Sequence, residues 1–460
     1  MPSFSGKFRY SHPDGTPAQS SSCQVSFDAE SLTLTPVPGT PISFDLGDID
    51  VFTPGDYELT LALYTGNKLV LSQFGKVFQN LSHDLLEAYR QRLIECLLLE
   101  DLEELARFDG FARLDSPRRA FESPAEFRIY KSNLAVLPTQ AAGFQWRLAD
   151  IDTVRFDESS YTVTLRSEDE SLLVTKLAKR TREFQERLRE STLELTEKGA
   201  KILRGMFPFL TPDQFQQVAQ LMREGRAAPL DKLRAIHPKT EQALVENVVD
   251  ATLRPYFNAL LTHVPPGMLY TGFKLIREEA EGPSEQRAEE VAGESPDTRR
   301  EGAEETAESS TEEVTAEEKQ EGKEPVLHWF FFPLASKQNP SQPGNLVAWE
   351  ATSQSGRATY FFQLQPPSTS SDHAAPGATP LDVAIRELNR AIVLLNFRRE
   401  PIYLPDDSLT IQPRYHRYAI ACRKIPELRR LRASFLGRAI HTSPEAWRKQ
   451  VEMLLAKDPM

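Results

Sequence analysis

Two stretches of this chain repeat one another: residues 23–36 read CQVSFDAESLTLTP and residues 125–138 read AEFRIYKSNLAVLP. Val25, Phe27, Leu32, Leu34 and Pro36 lie 102 residues before Phe127, Ile129, Leu134, Val136 and Pro138. The same offset carries Leu46, Asp48, Ile49 and Asp50 onto Leu148, Asp150, Ile151 and Asp152. Upstream, Phe4-Ser5-Gly6 is echoed by Phe108-Asp109-Gly110 across a small gap. A period of this length is too long for a solenoid unit and has the size of a small domain. The sequence therefore predicts a duplicated domain.

Each copy reads as short strands followed by one helix. In the first, Cys23, Val25 and Phe27 alternate with Gln24 and Ser26, and Leu59, Leu61 and Leu63 alternate with Thr60 and Ala62. This period of two marks strands with one buried face. Turn signals fall at Asp14-Gly15, Pro38-Gly39 and Gly66-Asn67. From Ser82, a candidate N-cap, the apolar positions Leu85, Leu86, Tyr89, Leu93, Ile94, Leu97 and Leu98 take helical spacing. The second copy has strands around Phe127–Ile129, Asn133–Leu137, Phe144–Ile151, Tyr161–Leu165 and Leu172–Leu177, then a helix from Thr181 carrying Phe184, Leu188 and Leu195.

About six antiparallel strands closed by a C-terminal helix resembles the pleckstrin-homology-like superfold over residues 1–200. The resemblance implies a curved sheet whose open end the helix plugs. Phosphoinositide binding is not expected. Members with that activity use a basic first hairpin, whereas residues 1–100 hold 6 Lys/Arg against 12 Asp/Glu, with Lys7 and Arg9 alone on the first strand. The shared Asp-Ile-Asp is no signature of that family. It reads either as a strand end with a buried Ile and two solvated carboxylates, or as part of a divalent-cation site, for which two oxygen ligands are too few.

A chain of 460 residues is expected to form several domains. Its three cysteines, Cys23, Cys96 and Cys422, are far apart, so neither a disulfide framework nor a zinc knuckle is indicated. Met1 to Tyr10 lacks the basic flank and apolar run of a signal peptide, and no apolar stretch reaches membrane-spanning length, so a cytoplasmic location is expected. The net charge of −12 is concentrated: residues 278–324 carry 18 Asp/Glu and 5 Lys/Arg, leaving the rest near neutral. That segment has no aromatic residue and reads as a disordered acidic insertion, either a tether or a regulatory mimic.

Helical periodicity dominates Glu197–Leu261. One helix opens at Thr211-Pro212-Asp213, one runs from about Pro229 to Ile236, and one from Lys239 carries Leu244 through to Leu261. Strands return at Leu269–Ile276, Val326–Leu334, Asn345–Ala351 and Ala358–Leu364. The run Trp329-Phe330-Phe331-Phe332 suits a sheet buried on both faces. An aromatic base-stacking platform is the alternative, but only Arg357 and Lys337 lie nearby to serve it. Pro366–Pro380 reads as a polar loop and Leu381–Asn396 as an amphipathic helix. Residues 381–457 carry 15 Lys/Arg against 8 Asp/Glu. Arg414, Arg417, Arg423, Lys424, Arg429, Arg430 and Arg432 are the candidate contacts for an anionic partner. Leu428, Leu431 and Phe435 are spaced to face the core, which would leave Arg429, Arg430 and Arg432 outward.

No nucleotide, hydrolase or metalloprotease motif occurs, the eight histidines are scattered, and no cofactor is indicated. The organisation expected is α+β: two tandem pleckstrin-homology-like antiparallel sheets (1–103 and 104–198), each closed by a C-terminal helix, then a helical connector (199–264) and an α+β domain (265–460) with a disordered acidic insertion at 278–325. The function expected is a non-enzymatic scaffold or adaptor for protein partners. The alternative is a nucleic-acid-associated or histone-chaperone-like factor using the basic C-terminus, and an enzyme with a dispersed site ranks below both.

Overall fold

The computed structural model describes residues 3–117, 119–167, 170–275, 326–352, 358–364 and 379–456. The acidic insertion at 278–325, Arg357 and nearly all of the loop at 366–380 lie outside the described residues. The protein is α+β, with three antiparallel sheets and helices between and after them.

The first sheet has seven strands: β1 (Ser3–Ser11), β2 (Pro17–Phe27), β3 (Ser31–Pro36), β4 (Ile42–Asp45), β5 (Ile49–Pro54), β6 (Glu58–Leu63) and β7 (Lys68–Ser72). Their spatial order is β4-β3-β2-β1-β7-β6-β5, and helix α1 (Phe78–Cys96) follows. The second sheet repeats this arrangement with β8 (Glu104–Asp115), β9 (Phe121–Tyr130), β10 (Asn133–Pro138), β11 (Phe144–Arg147), β12 (Thr153–Asp157), β13 (Thr162–Ser167) and β14 (Glu170–Thr175), in the order β11-β10-β9-β8-β14-β13-β12, before helix α2 (Thr181–Met206). Val25 pairs with Leu34 as Phe127 pairs with Val136, so register is repeated as well as order. Ile49 and Ile151 are both buried.

Three local expectations are corrected. Each repeat has seven strands, one more than the alternation suggested. Ser82 is not an N-cap: α1 starts at Phe78, directly after a short 3-10 turn at Gly75–Val77. The entry is set by the left-handed backbone of Gln73 and Gly75 and by burial of Phe78. The stretch Phe144–Ile151 is not one strand, because it breaks into a 3-10 turn at Leu148–Asp150, matching the turn at Leu46–Asp48.

After α2 come α3 (Pro212–Leu221), α4 (Leu230–Ile236), α5 (Lys239–Val248) and α6 (Arg254–Leu261). Thr211 caps α3 in a reciprocal box with Gln214. The single helix expected from Lys239 onward is two. The Asp250 carboxylate accepts from the Thr252 amide and hydroxyl at 2.7 Å each, stabilising a turn, and Pro255 then opens α6 where its missing N–H costs nothing.

The third sheet orders β15 (Ala228–Pro229), β16 (Tyr270–Leu275), β17 (Val326–Ala335), β18 (Pro343–Ala351), β19 (Ala358–Gln363) and β20 (Phe435–Ile440). It is buried on both faces, as the aromatic run implies. Trp329 and Phe331 share a core with the first repeat and with α7 (Pro380–Leu394), α10 (His416–Lys424) and α11 (Pro426–Ser434). Phe330 and Phe332 face α3 to α6 and α12 (Pro444–Ala456) on the other side. Two short helices, α8 (Glu400–Tyr403) and α9 (Asp406–Ile411), lie between α7 and α10.

Candidate functional site

The 3-10 turn that carries Asp-Ile-Asp in each repeat is an acidic corner, and each corner grips a basic segment from later in the chain. In the first repeat, Asp45 precedes the turn. Its carboxylate accepts from the Gly47 amide at 2.7 Å and from both ends of the buried Arg92 guanidinium, at 3.2 and 2.9 Å. Helix α10 packs over this turn. Gly47 has to be glycine because a Cβ there would stand 2.6 Å from Cys96 Sγ and 2.9 Å from Ile420. At the end of α10, Arg423 donates to Asp48 at 2.9 Å and lies 5.4 Å from the Tyr64 ring centroid. Lys424 follows with its side chain only 3% exposed. Its ammonium donates to the Gly47 and Ile49 carbonyls, at 3.2 and 2.5 Å, and pairs with Asp50 at 3.3 Å. Three donors meet three oxygens, which is what burial of an ammonium requires.

The second corner is built on the same plan with arginine. Arg147 forks the Asp150 carboxylate at 2.9 and 2.8 Å, both side chains being buried. Arg226, on the segment after α3, donates to the Asp150 carboxylate at 3.1 Å, to the Asp150 carbonyl at 3.0 Å and to Asp152 at 3.3 Å. Arg223 adds a contact to Asp152 at 3.1 Å. In both repeats, then, a cation meets a backbone carbonyl of the turn and the second Asp of the motif. The expectation of two solvated carboxylates is corrected: Asp150 is buried and all four aspartates are ion-paired. A cation site is not needed to explain them, because guanidinium and ammonium groups fill the position.

The two corners differ electrostatically. Burial raises the Asp48 carboxyl above its ordinary value, and the nearby Arg423 charge only partly opposes this. At Asp150 burial also works upward, but Arg147, Arg390 and Arg226 outweigh it and hold the carboxyl well below the carboxylate range.

Five of the seven candidate basic residues are ion-paired within the chain. Besides Arg423 and Lys424, Arg417 pairs with Asp101 at 3.3 Å and with Glu100, and Arg430 pairs with Glu387 at 2.9 Å. Arg432 donates to the Pro401 carbonyl, to the Leu404 carbonyl at 2.9 Å and to Asp406 at 2.6 Å. Arg432 is therefore not the outward residue its spacing suggested, because α8 and α9 fold over it. Arg429 is exposed, and Arg414 is exposed and lies over the Tyr415 ring.

A cleft of about 420 Å³ lies between the second repeat and α7 and α11, with Arg119 and Glu170 on one wall and Glu387, Arg390, Glu427 and Arg430 on the other. Elsewhere, Thr359 bridges Glu350 at 2.7 Å and His441 Nε2 at 3.0 Å, and accepts from Trp447 at 3.0 Å, beneath the stacked Tyr256 ring. In this cluster the glutamate meets the threonine and, at 3.4 Å, the same His441 Nε2, while His441 Nδ1 has no partner among the described residues. The arrangement therefore differs from an acid–base–nucleophile relay. Burial pushes the Cys23 and Cys422 thiols up to about 11 and Cys96 up to about 12, which makes all three poor nucleophiles. Among the described residues no three His, Cys, Asp or Glu side chains gather as a metal site needs, and no helix is long and apolar enough to cross a membrane.

No family model matches the chain, and no curated protein does. Among solved structures it is similar to a protein of unknown function of the DUF3598 family from Nostoc punctiforme, at 10% identity over 38% of this chain and 94% of that chain, with a TM-score of 0.14. A likeness of that size carries no argument.

Proposed function

We propose that this chain is a non-enzymatic scaffold in which two pleckstrin-homology-like modules, clamped to a third α+β unit, bind protein partners. The strand order repeated in both copies, with a helix following each, supports the pleckstrin-like reading. One observation carries the function: the same corner of both modules recognises a basic stretch of polypeptide, through paired aspartates and turn carbonyls. Modules that hold their own chain this way have surfaces suited to polypeptide.

The nucleic-acid alternative draws less support from the geometry. Phosphate binding relies on several available cations, whereas five of the seven candidates are ion-paired with carboxylates of the same chain. Gel filtration of native extract separates the two readings. The scaffold reading expects the 52.0 kDa chain to elute in a larger complex that survives nuclease and contains a stoichiometric second protein. Elution as the bare chain contradicts it, and a nuclease-sensitive complex transfers support to the alternative.

A further inference from the structure

We propose that the cleft between the second repeat and the C-terminal helices binds a small monocarboxylate, an apolar body ending in one carboxylate that Arg119 receives. This holds whether or not the chain is a scaffold.

The volume of about 420 Å³ lies within the range of small-molecule sites. The floor is apolar: Leu364, Leu388, Ala391 and Leu431 line it, and the last three are buried. A site of this kind binds through its floor and orients through a few polar groups at the rim. The rim groups differ in how far they are committed. Arg430 is tied to Glu387 at 2.9 Å. Glu170 spends its two oxygens on the Ser116 hydroxyl at 2.8 Å and the Trp146 indole at 3.1 Å. Arg119 therefore approaches Glu170 no closer than 3.8 Å, beyond hydrogen-bond length. Its guanidinium is held instead by the Phe144 ring, 4.1 Å from the centroid. Arg119 lines the cleft while stacked in this way, and a guanidinium fork is matched to a carboxylate.

The rim also limits the ligand's charge. Three arginines and three glutamates line the cleft, so it is balanced when empty. One added negative charge has Arg119 to meet it, while a second would add to a lining whose three glutamates already balance its three arginines. A phosphate-like dianion is disfavoured for that reason.

The test is calorimetric titration of the full chain with octanoate and with octanamide, which differ in charge but hardly in size. The expected result is saturable octanoate binding about tenfold tighter than octanamide, the advantage of a charge-assisted contact. Arg119→Gln should erase that preference without altering octanamide affinity, and Arg119→Lys should keep part of it. Arg119 is partly exposed, so neither substitution should shift the melting temperature. Equal affinity for the two probes on the unaltered chain, a preference that persists in Arg119→Gln, or no saturable octanoate binding would each overturn the proposal.

Discussion

Replacing Lys424 by Met keeps the stem that packs under the first repeat and removes only the ammonium. Three interactions are lost: donation to the Gly47 and Ile49 carbonyls and the pair with Asp50. Asp50 is about one-third exposed and can be re-solvated, so it adds little to the cost. The two carbonyls lie under α10 and lose a charged donor, each such bond contributing about 1.5–3 kcal/mol. Partial relaxation reduces the sum, and an overall loss of about 2–4 kcal/mol is expected. The loss should be local, so amide hydrogen exchange is the assay of choice. Amides of the turn at 46–48 and of α10 should exchange roughly 30- to 900-fold faster, the equivalent of that free energy, while amides of β8 to β14 stay unchanged. Arg429→Met on an exposed position of α11 is the control and should change little. If Lys424→Met costs under about 0.5 kcal/mol, the range of ordinary surface substitutions, then the ammonium does not hold α10 to the first repeat and the reasoning fails.

Arg432→Glu should lower the urea midpoint by an amount equivalent to about 2–4 kcal/mol, since it places a carboxylate against the Pro401 and Leu404 carbonyls and Asp406. Arg429→Glu should stay within about 0.5 kcal/mol, and equal effects at the two positions would contradict the fold around α8 and α9. The Asp150 carboxyl is depressed in the folded state, so its stabilising contribution is present above the ordinary value of 3.8 and is lost as pH falls through the lower folded value. The stability gap between the unaltered chain and Asp150→Asn should therefore be constant near neutrality and shrink below pH 3.8. A gap that stayed constant into that acid range would rule out the paired carboxylate as its source.

The duplication was legible because both copies preserve the spacing of inward residues. Val25, Phe27, Leu32 and Leu34 sit in one core at the positions of Phe127, Ile129, Leu134 and Val136 in the other. The double burial of the third sheet was legible in its unbroken aromatic run, since a one-sided sheet would have exposed every second ring. The acidic corners were half legible. The repeated Asp-Ile-Asp stood out, and Arg147 lies only three residues before Asp150, but the basic arms that meet the corners lie 375 residues from Asp48 and 76 from Asp150, and no local period links them. Gly47 was the missed signal in the first corner, a glycine with ordinary backbone angles whose only need is close approach by Cys96 and Ile420. Arg432 was misread because helical spacing describes one helix and says nothing of α8 and α9 folding against it. The cleft was invisible in the sequence: its walls come from the β8–β9 loop, the start of β14, the end of β19 and two helices, all far apart in the chain.

The central claim is that acidic corners grip basic arms through charge. A double-mutant cycle on Asp48 and Arg423 tests it most directly, because both side chains are partly exposed and tolerate exchange. Asp48→Arg and Arg423→Asp should each destabilise the contact between α10 and the first repeat. The double variant rebuilds the pair with its charges swapped and should recover part of the loss, with a coupling of about 1 kcal/mol or more. Additive losses, with coupling below about 0.3 kcal/mol, would mean that the corner and the arm are neighbours without being partners.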